Sequence, residues 1–105
     1  MLTLTEQTAR RKWDQIRGYG LGPWCASVEP TGPAEALTCA EVIDLEPYLR
    51  AAERVARVGA GALVLGCAGM APLAEQLEAA VAVSVVEPVA VTCQLAGILA
   101  LSSAG

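Results

Sequence analysis

The segment from Ala62 to Pro72 constrains the fold of this chain more than any other. Four apolar residues at 62–65 lead into a Gly-Cys-Ala-Gly turn at 66–69, and Pro72 then opens an amphipathic helical pattern. This layout predicts a buried strand followed by a helix, with Cys67 between them. In parallel α/β sheets ligands bind at the carboxyl ends of the strands, and the amino end of a helix favours an anion such as a thiolate. Cys67 is therefore the candidate reactive residue.

Strand and helix patterns alternate along the whole chain. Apolar runs predict strands at 2–4, 25–28, 63–65 and 83–86, and helical spacing predicts helices at 6–18, 45–58, 72–80 and 88–101. Thr5 and Asp44 are the predicted caps of the first two helices, and the Pro- and Gly-containing residues 29–39 are a predicted loop. With 105 residues for one domain, the sequence predicts an α/β fold, a small parallel sheet with helices on both faces.

The chain contains no histidine, which excludes Ser-His and Cys-His dyads and the usual general base. Its four cysteines, at 25, 39, 67 and 93, form no C-x-x-C pair, so their spacing argues against a zinc site. A thiol without a histidine is better suited to proton transfer next to a carbonyl than to nucleophilic hydrolysis. Cys25 and Cys93 are predicted core residues, Cys93 on a buried helix face.

The charge pattern and the hydropathy pattern limit the partners. The net charge is −4, and the basic run at 10–12 lies inside a helical pattern, so nucleic acid is not an expected partner. The apolar stretch 81–101 is long enough to span a bilayer, but Glu87-Pro88 divides it. We interpret it as strand, turn and helix, so no membrane is an expected partner. The chain opens without a signal-peptide pattern, which predicts a cytoplasmic protein with free thiols.

Further site residues are expected at the edge of the sheet that carries Cys67. Backbone amides of Gly66, Ala68 and Gly69 are candidates for binding a carboxylate or a developing enolate. The hydroxyls of Thr3 and Thr5 follow the first strand and are candidates for binding a substrate carbonyl. Glu87 follows the fourth strand and either contacts substrate or, as the pattern favours, caps the last helix. The competing interpretation is that Cys67 is a buried structural thiol in a turn made for tight packing.

Three segments resemble a known family. Residues 63–70 resemble the second-half cysteine motif of the hydantoin and allantoin racemases in the aspartate/glutamate racemase superfamily. Residues 19–21 with 25–28 resemble the family's helix end and next strand. Residues 85–89 resemble the segment before the family's last helix, with Glu87 where the family usually has Asp. The resemblance covers nearly the whole chain.

The resemblance implies a mechanism in which two cysteines face opposite sides of a substrate α-carbon, without a cofactor or a metal. Cys67 matches the second-half cysteine, whereas Cys25, Cys39 and Cys93 do not match the other one by context. Residues 1–105 would then be the C-terminal catalytic half-domain, one half of a pseudo-symmetric two-domain racemase whose first half is absent.

The expected activity is racemisation of hydantoin- or allantoin-type amino-acid derivatives. A decarboxylase of the same superfamily, which needs one thiol, is the first alternative. An inactive truncated fragment that only binds or assembles is the second. The expected partners are a small-molecule substrate and either further copies of the chain or a first-half polypeptide, because a sheet edge and an apolar face are expected to be uncovered.

Overall fold

The computed structural model describes residues 1–33 and 43–104. Cys39 and the later part of the predicted 29–39 loop therefore lie outside the described residues. Helices and strands alternate as predicted, and each strand is only two or three residues long. The elements in chain order are β1 Leu2–Thr3, α1 Glu6–Gly18, a 3₁₀ turn Gly22–Trp24, β2 Glu29–Pro30, α2 Glu46–Arg57, β3 Ala62–Val64, a 3₁₀ helix Ala68–Leu73, α3 Ala74–Val81, β4 Ser84–Val86 and α4 Pro88–Ala104.

All the strand pairings of the described residues are parallel, which confirms the predicted α/β class. β1 pairs with β2, with Leu2 opposite Glu29, and β3 pairs with β4, with Leu63 opposite Val85. A single parallel bridge between Leu2 and Leu65 joins the two pairs. The strand order across the sheet is therefore β2-β1-β3-β4, and the chain reverses its direction of travel between β1 and β3.

The predicted strand at 25–28 is wrong. The structure forms β2 at Glu29–Pro30, while residues 25–28 belong to no strand. The register is the cause, because Leu2 lies opposite Glu29 and residues 25–27 therefore extend past the start of β1. The terminal amino group of Met1 still donates to the Ser27 carbonyl at 2.9 Å, which holds this segment beside β1.

Helix ends follow the predicted caps. Thr5 and Thr8 form a reciprocal capping box at the start of α1, and the Thr5 hydroxyl accepts a hydrogen bond from the Thr8 N–H at 3.2 Å. The Asp44 carboxylate accepts from the Glu46 N–H at 3.1 Å at the start of α2. The predicted helix at 72–80 begins differently, since residues 68–73 form a 3₁₀ helix that turns into α3 at Ala74.

The core lies on one face of the sheet, which we call the closed face. Leu63 and Leu65 point to this face and are fully buried, and α2 and α3 pack over it. The buried cluster consists of Leu2, Tyr48, Ala51, Ala52, Val55, Leu63, Leu65, Met70, Leu73 and Leu77.

The opposite face, which we call the open face, carries α1 and is much less covered. Ala9 is the buried residue of α1, and it lies outside the main cluster. Along β3 and β4 the residues of this face are Ala62 and Ser84, both exposed, and Val64 and Val86, both half-buried. Helices therefore flank both faces, as predicted, but the packing is unequal.

Helix α4 is apolar around its whole circumference and exposed along its length. Its six large apolar side chains are between 46% and 78% exposed; they are Val89, Val91, Leu95, Ile98, Leu99 and Leu101. The prediction that Cys93 lies on a buried helix face is wrong, because Cys93 is exposed, as are its neighbours along α4. Within residues 1–33 and 43–104, no helix has both the length and the apolar character needed to cross a membrane.

Candidate functional site

Cys67 lies just beyond the carboxyl end of β3, next to the carboxyl end of β1. After β1 the chain runs through α1 to β2, which lies beside one edge of β1. β3 then lies beside the opposite edge of β1. A reversal of this kind opens a crevice at the carboxyl ends of the two central strands, where α/β proteins bind ligands. The predicted edge is therefore the edge at which the strand order reverses, and a ligand site there stays a prediction.

Gly66 is required by the packing of this edge. Its N–H donates to the Leu2 carbonyl at 2.7 Å, and a Cβ at this position would run into the same carbonyl oxygen. β1 and β3 can approach this closely only with glycine at position 66. The prediction that the Gly66 amide is a donor to substrate therefore needs correction, because that N–H already has a partner in the sheet.

The amides of Ala68 and Gly69 are differently placed. Cys67 has an extended backbone, and its carbonyl accepts the Met70 N–H at 3.0 Å, the first hydrogen bond of the 3₁₀ helix. The N–H groups of Ala68 and Gly69 precede that bond, and both residues are exposed. The assignment of these two amides as donors to a substrate oxygen stays a prediction.

Thr3 and Thr5 both lie at this edge, and each has a structural role there. Thr3 is almost completely buried, its carbonyl accepts hydrogen bonds from Thr31, and its hydroxyl has no partner in the described part of the chain. Thr5 is exposed, and its hydroxyl belongs to the cap of α1. The structure places Thr3 at the predicted edge but buries its side chain there. Contact of Thr3 and Thr5 with a substrate stays a prediction.

Glu87 caps α4, as the sequence pattern favoured. One carboxylate oxygen accepts from the Val89 N–H at 2.9 Å and the other from the Ala90 N–H at 2.8 Å. Both oxygens are thus engaged with the backbone, on the same edge of the sheet as Cys67. A contact of Glu87 with substrate stays a prediction.

Sequence reasoning missed Tyr48. This residue of the first turn of α2 is 3% exposed and belongs to the buried cluster against which Cys67 packs. Burial raises the pKa of its phenol, the charge of Cys67 raises the pKa further, and a side-chain hydrogen bond with Thr31 opposes the rise. A tyrosine on an otherwise apolar helix face was the available signal, since a buried tyrosine hydroxyl usually has a polar partner.

A comparison with protein families decides the relationship. The model of the Asp/Glu/hydantoin racemase family matches residues 1–96. The chain belongs to this racemase family. The superfamily assignment made from the cysteine motif is therefore confirmed.

A solved racemase structure supports the same assignment. Allantoin racemase from Pseudomonas fluorescens is similar to this chain with a TM-score of 0.86 and 29% sequence identity, over 97% of this chain. The match covers 44% of the allantoin racemase chain, so this chain spans less than half of its length. Among the curated proteins, none matches.

Within this racemase-family chain, the other described cysteines lie away from the edge. The Cys25 thiol donates to the Ser27 carbonyl at 3.6 Å, before β2 begins, and Cys93 is exposed on α4. Cys67 is thus the one cysteine that residues 1–33 and 43–104 place at the crevice. In the same part of the chain no three histidine, cysteine or carboxylate side chains gather into a metal-binding group.

A hollow of about 310 Å³ reaches the cysteine turn from the open face. Lys12 of α1, Val64 of β3, Gly66, Cys67 and Pro88 of α4 contribute to its lining. This volume lies at the lower end of the range of small-molecule pockets. The closed face therefore supports the cysteine turn, and the open face gives access to it.

Proposed function

We propose that this chain is the C-terminal catalytic half of a cofactor-independent racemase that acts on hydantoin- or allantoin-type amino-acid derivatives. The observation that carries the proposal is the position of Cys67 at the crevice between β1 and β3 in a chain of the racemase family. The name of the solved allantoin racemase favours cyclic ureides as the substrate class. The small hollow beside the cysteine turn suits a compact substrate of this kind.

In the proposed reaction Cys67 is the acid/base group. Its thiolate takes the proton from the substrate α-carbon, so that the C–H bond breaks, an S–H bond forms and the electron pair moves to the adjacent carbonyl oxygen. The exposed amides of Ala68 and Gly69 stabilise that developing negative charge. A thiol on the opposite side of the planar intermediate then donates a proton, which inverts the configuration.

The second thiol is proposed to come from the part of the racemase fold that has no counterpart in this chain. The match to the solved allantoin racemase covers 44% of that protein, and one thiol of the described residues lies at the crevice. The exposed apolar helix α4 supports a partner, either a first-half polypeptide or further copies of the chain. Sedimentation should therefore show association or aggregation, and a compact monomer over a wide concentration range would contradict this.

Deuterium uptake at C5 of a 5-substituted hydantoin, followed together with the loss of optical rotation, tests the function. The chain alone should exchange weakly or not at all, because one positioned acid/base group contributes about 10²- to 10⁴-fold to the rate. Addition of the first half of a hydantoin racemase, with its own cysteine, should increase the rate. Cys67→Ser should abolish the gain and Cys93→Ser, on exposed α4, should not. If Cys67→Ser keeps the activity, the proposal is wrong.

Decarboxylation by the same thiol is the second candidate. Protonation of an enolate after loss of carbon dioxide requires one thiol, and Cys67 alone is at the crevice in the part of the chain that the structure describes. Release of carbon dioxide from an arylmalonate by the chain alone, without exchange into a hydantoin, would favour this function. If neither reaction occurs even with the first half added, a binding or assembly role is favoured.

A further inference from the structure

Lys12 brings a positive charge to the hollow beside the cysteine turn. The hollow of about 310 Å³ is bounded by Lys12 of α1 and Val64 of β3 on the open face, and by Cys67 and Pro88 at the carboxyl edge of the sheet. Within the described part of the chain, Lys12 is the one basic side chain of this lining, and the lining side chains other than Lys12 and Cys67 are apolar. A cation and the candidate acid/base thiol therefore share one small space.

Lys12 differs from its two basic neighbours on α1. Arg10 and Arg11 are exposed, whereas Lys12 is half-buried. The turn of the helix explains the difference, because successive helical residues point in different directions and one of the three faces the hollow. The basic run at 10–12 is therefore not a uniformly solvated charged surface.

The ammonium group of Lys12 has no carboxylate partner among the described residues. Arg17 of α1 pairs with Asp14, and the three arginines of α2 each pair with a glutamate. Glu87, next to the Pro88 of the lining, uses both carboxylate oxygens to accept backbone N–H groups of α4. An unpaired cation in a concave and mostly apolar site attracts anions.

We propose that Lys12 is a specificity-determining residue and that the hollow takes a compact substrate with a carboxylate on the substituent of its reacting carbon. The reacting carbon would lie against the Cys67 thiol, and the carboxylate would pair with Lys12 across the hollow. This inference rests on the proposed function, because it takes Cys67 as the acid/base group. It narrows the substrate class from cyclic ureides in general to those with an anionic substituent.

A purely structural role of Lys12 makes a different prediction. Lysine often covers apolar surface with its aliphatic stem while the ammonium group stays in water. Lys12→Met separates the two roles, since methionine keeps an unbranched apolar stem and removes the charge. If the stem alone matters, this substitution leaves the response to ligand charge unchanged.

Two alkylating reagents measure the charge in the hollow without any turnover. Iodoacetate and iodoacetamide are close in size, and only iodoacetate carries a carboxylate. With both reagents the thiolate sulfur forms a bond to carbon, the carbon–iodine bond breaks and iodide leaves. The ratio of the two rates at Cys67 therefore reports the nearby charge, because the fraction of thiolate affects both rates equally. Lys12→Met should lower the iodoacetate-to-iodoacetamide ratio about fivefold, the effect of one pair of unit charges a few ångströms apart in water.

Matched controls use the neighbouring arginine and a distant cysteine. Arg11→Met removes an exposed charge one residue away and should leave the ratio unchanged, and Lys12→Arg keeps the charge and should keep the ratio. Cys93 on exposed α4 is the internal reference, and cleavage at glutamate residues separates it from Cys67 for mass spectrometry. An unchanged ratio at Cys67 in Lys12→Met, or an equal change in Arg11→Met, would overturn the proposal.

Salt dependence keeps the test available if Lys12→Met does not fold, which circular dichroism shows. In the unaltered chain the ratio should fall with added salt at Cys67 and stay nearly constant at Cys93, because salt screens the attraction of Lys12 for iodoacetate. The same salt response at both cysteines would contradict the proposal.

Substrate preference separates this inference from the proposed function. With the first half of a hydantoin racemase added, deuterium uptake into hydantoin-5-acetic acid should be preferred over uptake into its neutral amide, and Lys12→Met should lower that preference about fivefold. Equal uptake into both compounds would refute the role of Lys12 and leave the proposed function intact. No uptake into either compound, together with a charge-dependent alkylation ratio, would refute the proposed function and leave Lys12 as an anion-selecting group of the hollow.

Discussion

The closed and open faces of the sheet differ in how completely this chain covers their apolar side chains. On the closed face, α2 and α3 bury a continuous cluster that includes Leu63, Leu65 and Leu77. On the open face, α1 buries Ala9, the neighbouring strand residues stay partly exposed, and α4 exposes apolar side chains on every side. The comparison shows that the buried core of the described residues lies mainly on one face, and that the other face leaves much apolar surface exposed.

The exposure of α4 agrees with this division, because a helix that is apolar all round is normally buried. Its six large apolar side chains are between 46% and 78% exposed.

The site lies where the two faces meet. The Cys67 side chain packs against the buried cluster of the closed face, and the hollow beside the cysteine turn opens to the open face. A rigid support on one side and access on the other are what the proposed proton transfer requires, because the proposed acid/base group must stay positioned while the substrate enters.

Paired leucine truncations test the difference between the faces most strongly. Leu77 of α3 is fully buried and Leu95 of α4 is 54% exposed. We expect Leu77→Ala to lower the free energy of unfolding by about 2–5 kcal/mol, because it leaves a cavity in the closed cluster. Leu95→Ala should change it by about 0.5 kcal/mol or less. Urea denaturation at low protein concentration measures both.

Equal losses for the two leucines would mean that α4 is packed in solution and that the comparison is wrong. A loss for Leu95→Ala that grows with protein concentration would instead locate the association surface on α4, because oligomerisation stabilises by mass action.

Glycine substitutions test the same comparison and are expected to change the stability by smaller amounts. A methyl group at Gly66 collides with the Leu2 carbonyl, whereas one at Gly97 of α4 meets open space. Gly66→Ala should therefore destabilise the chain by about 1–3 kcal/mol, as overpacking does. Gly97→Ala should stabilise it by up to about 1 kcal/mol through helix propensity. Thermal unfolding followed by circular dichroism gives both signs, and a destabilised Gly97→Ala would place a close neighbour against α4.

Local sequence signals predicted the parts of this structure that depend on local physics. α1 runs from Glu6 to Gly18 as expected, because the Thr5 cap and the following glycine define its ends. Cys67 lies at the predicted edge because an apolar run and a glycine turn suffice to place a strand end.

Three features depended on distant partners and were missed. β2 is set by its register with β1 and not by its own composition, so the apolar run at 25–28 was misleading. The exposure of α4 is invisible to composition, because an apolar helix does not specify what covers it. Gly66 loses its free amide to the carbonyl of Leu2, which is distant in sequence.

Removal of the capping box of α1, the helix on the open face, is expected to lower the stability by an intermediate amount. Thr5→Ala removes the hydroxyl that accepts the Thr8 N–H and should cost about 1 kcal/mol. Thr92→Ala, on exposed α4, is the matched control and should be close to neutral. Differential scanning calorimetry of both variants provides the comparison. If Thr5→Ala is neutral as well, α1 contributes little to the stability of the fold.

The smallest expected effect concerns the ion pair that ties the closed face to the edge strand. Arg54 of α2 donates from Nε to a Glu29 carboxylate oxygen at 3.0 Å and from Nη2 to the Pro30 carbonyl at 3.2 Å. Arg54 is partly exposed, so solvent screens the pair, and Arg54→Ala should cost about 1 kcal/mol or less. Arg50→Ala breaks an exposed pair with Glu46 within α2 and should cost still less. Urea unfolding at low and at high salt compares the two variants. The difference in stability between Arg54→Ala and Arg50→Ala should be smaller at high salt, because salt screens the ion pairs and leaves the hydrogen bond from Arg54 to the Pro30 carbonyl. A larger loss of stability for Arg50→Ala than for Arg54→Ala would show that α2 does not hold β2 in place. The packed part of the closed face would then extend only as far as β1.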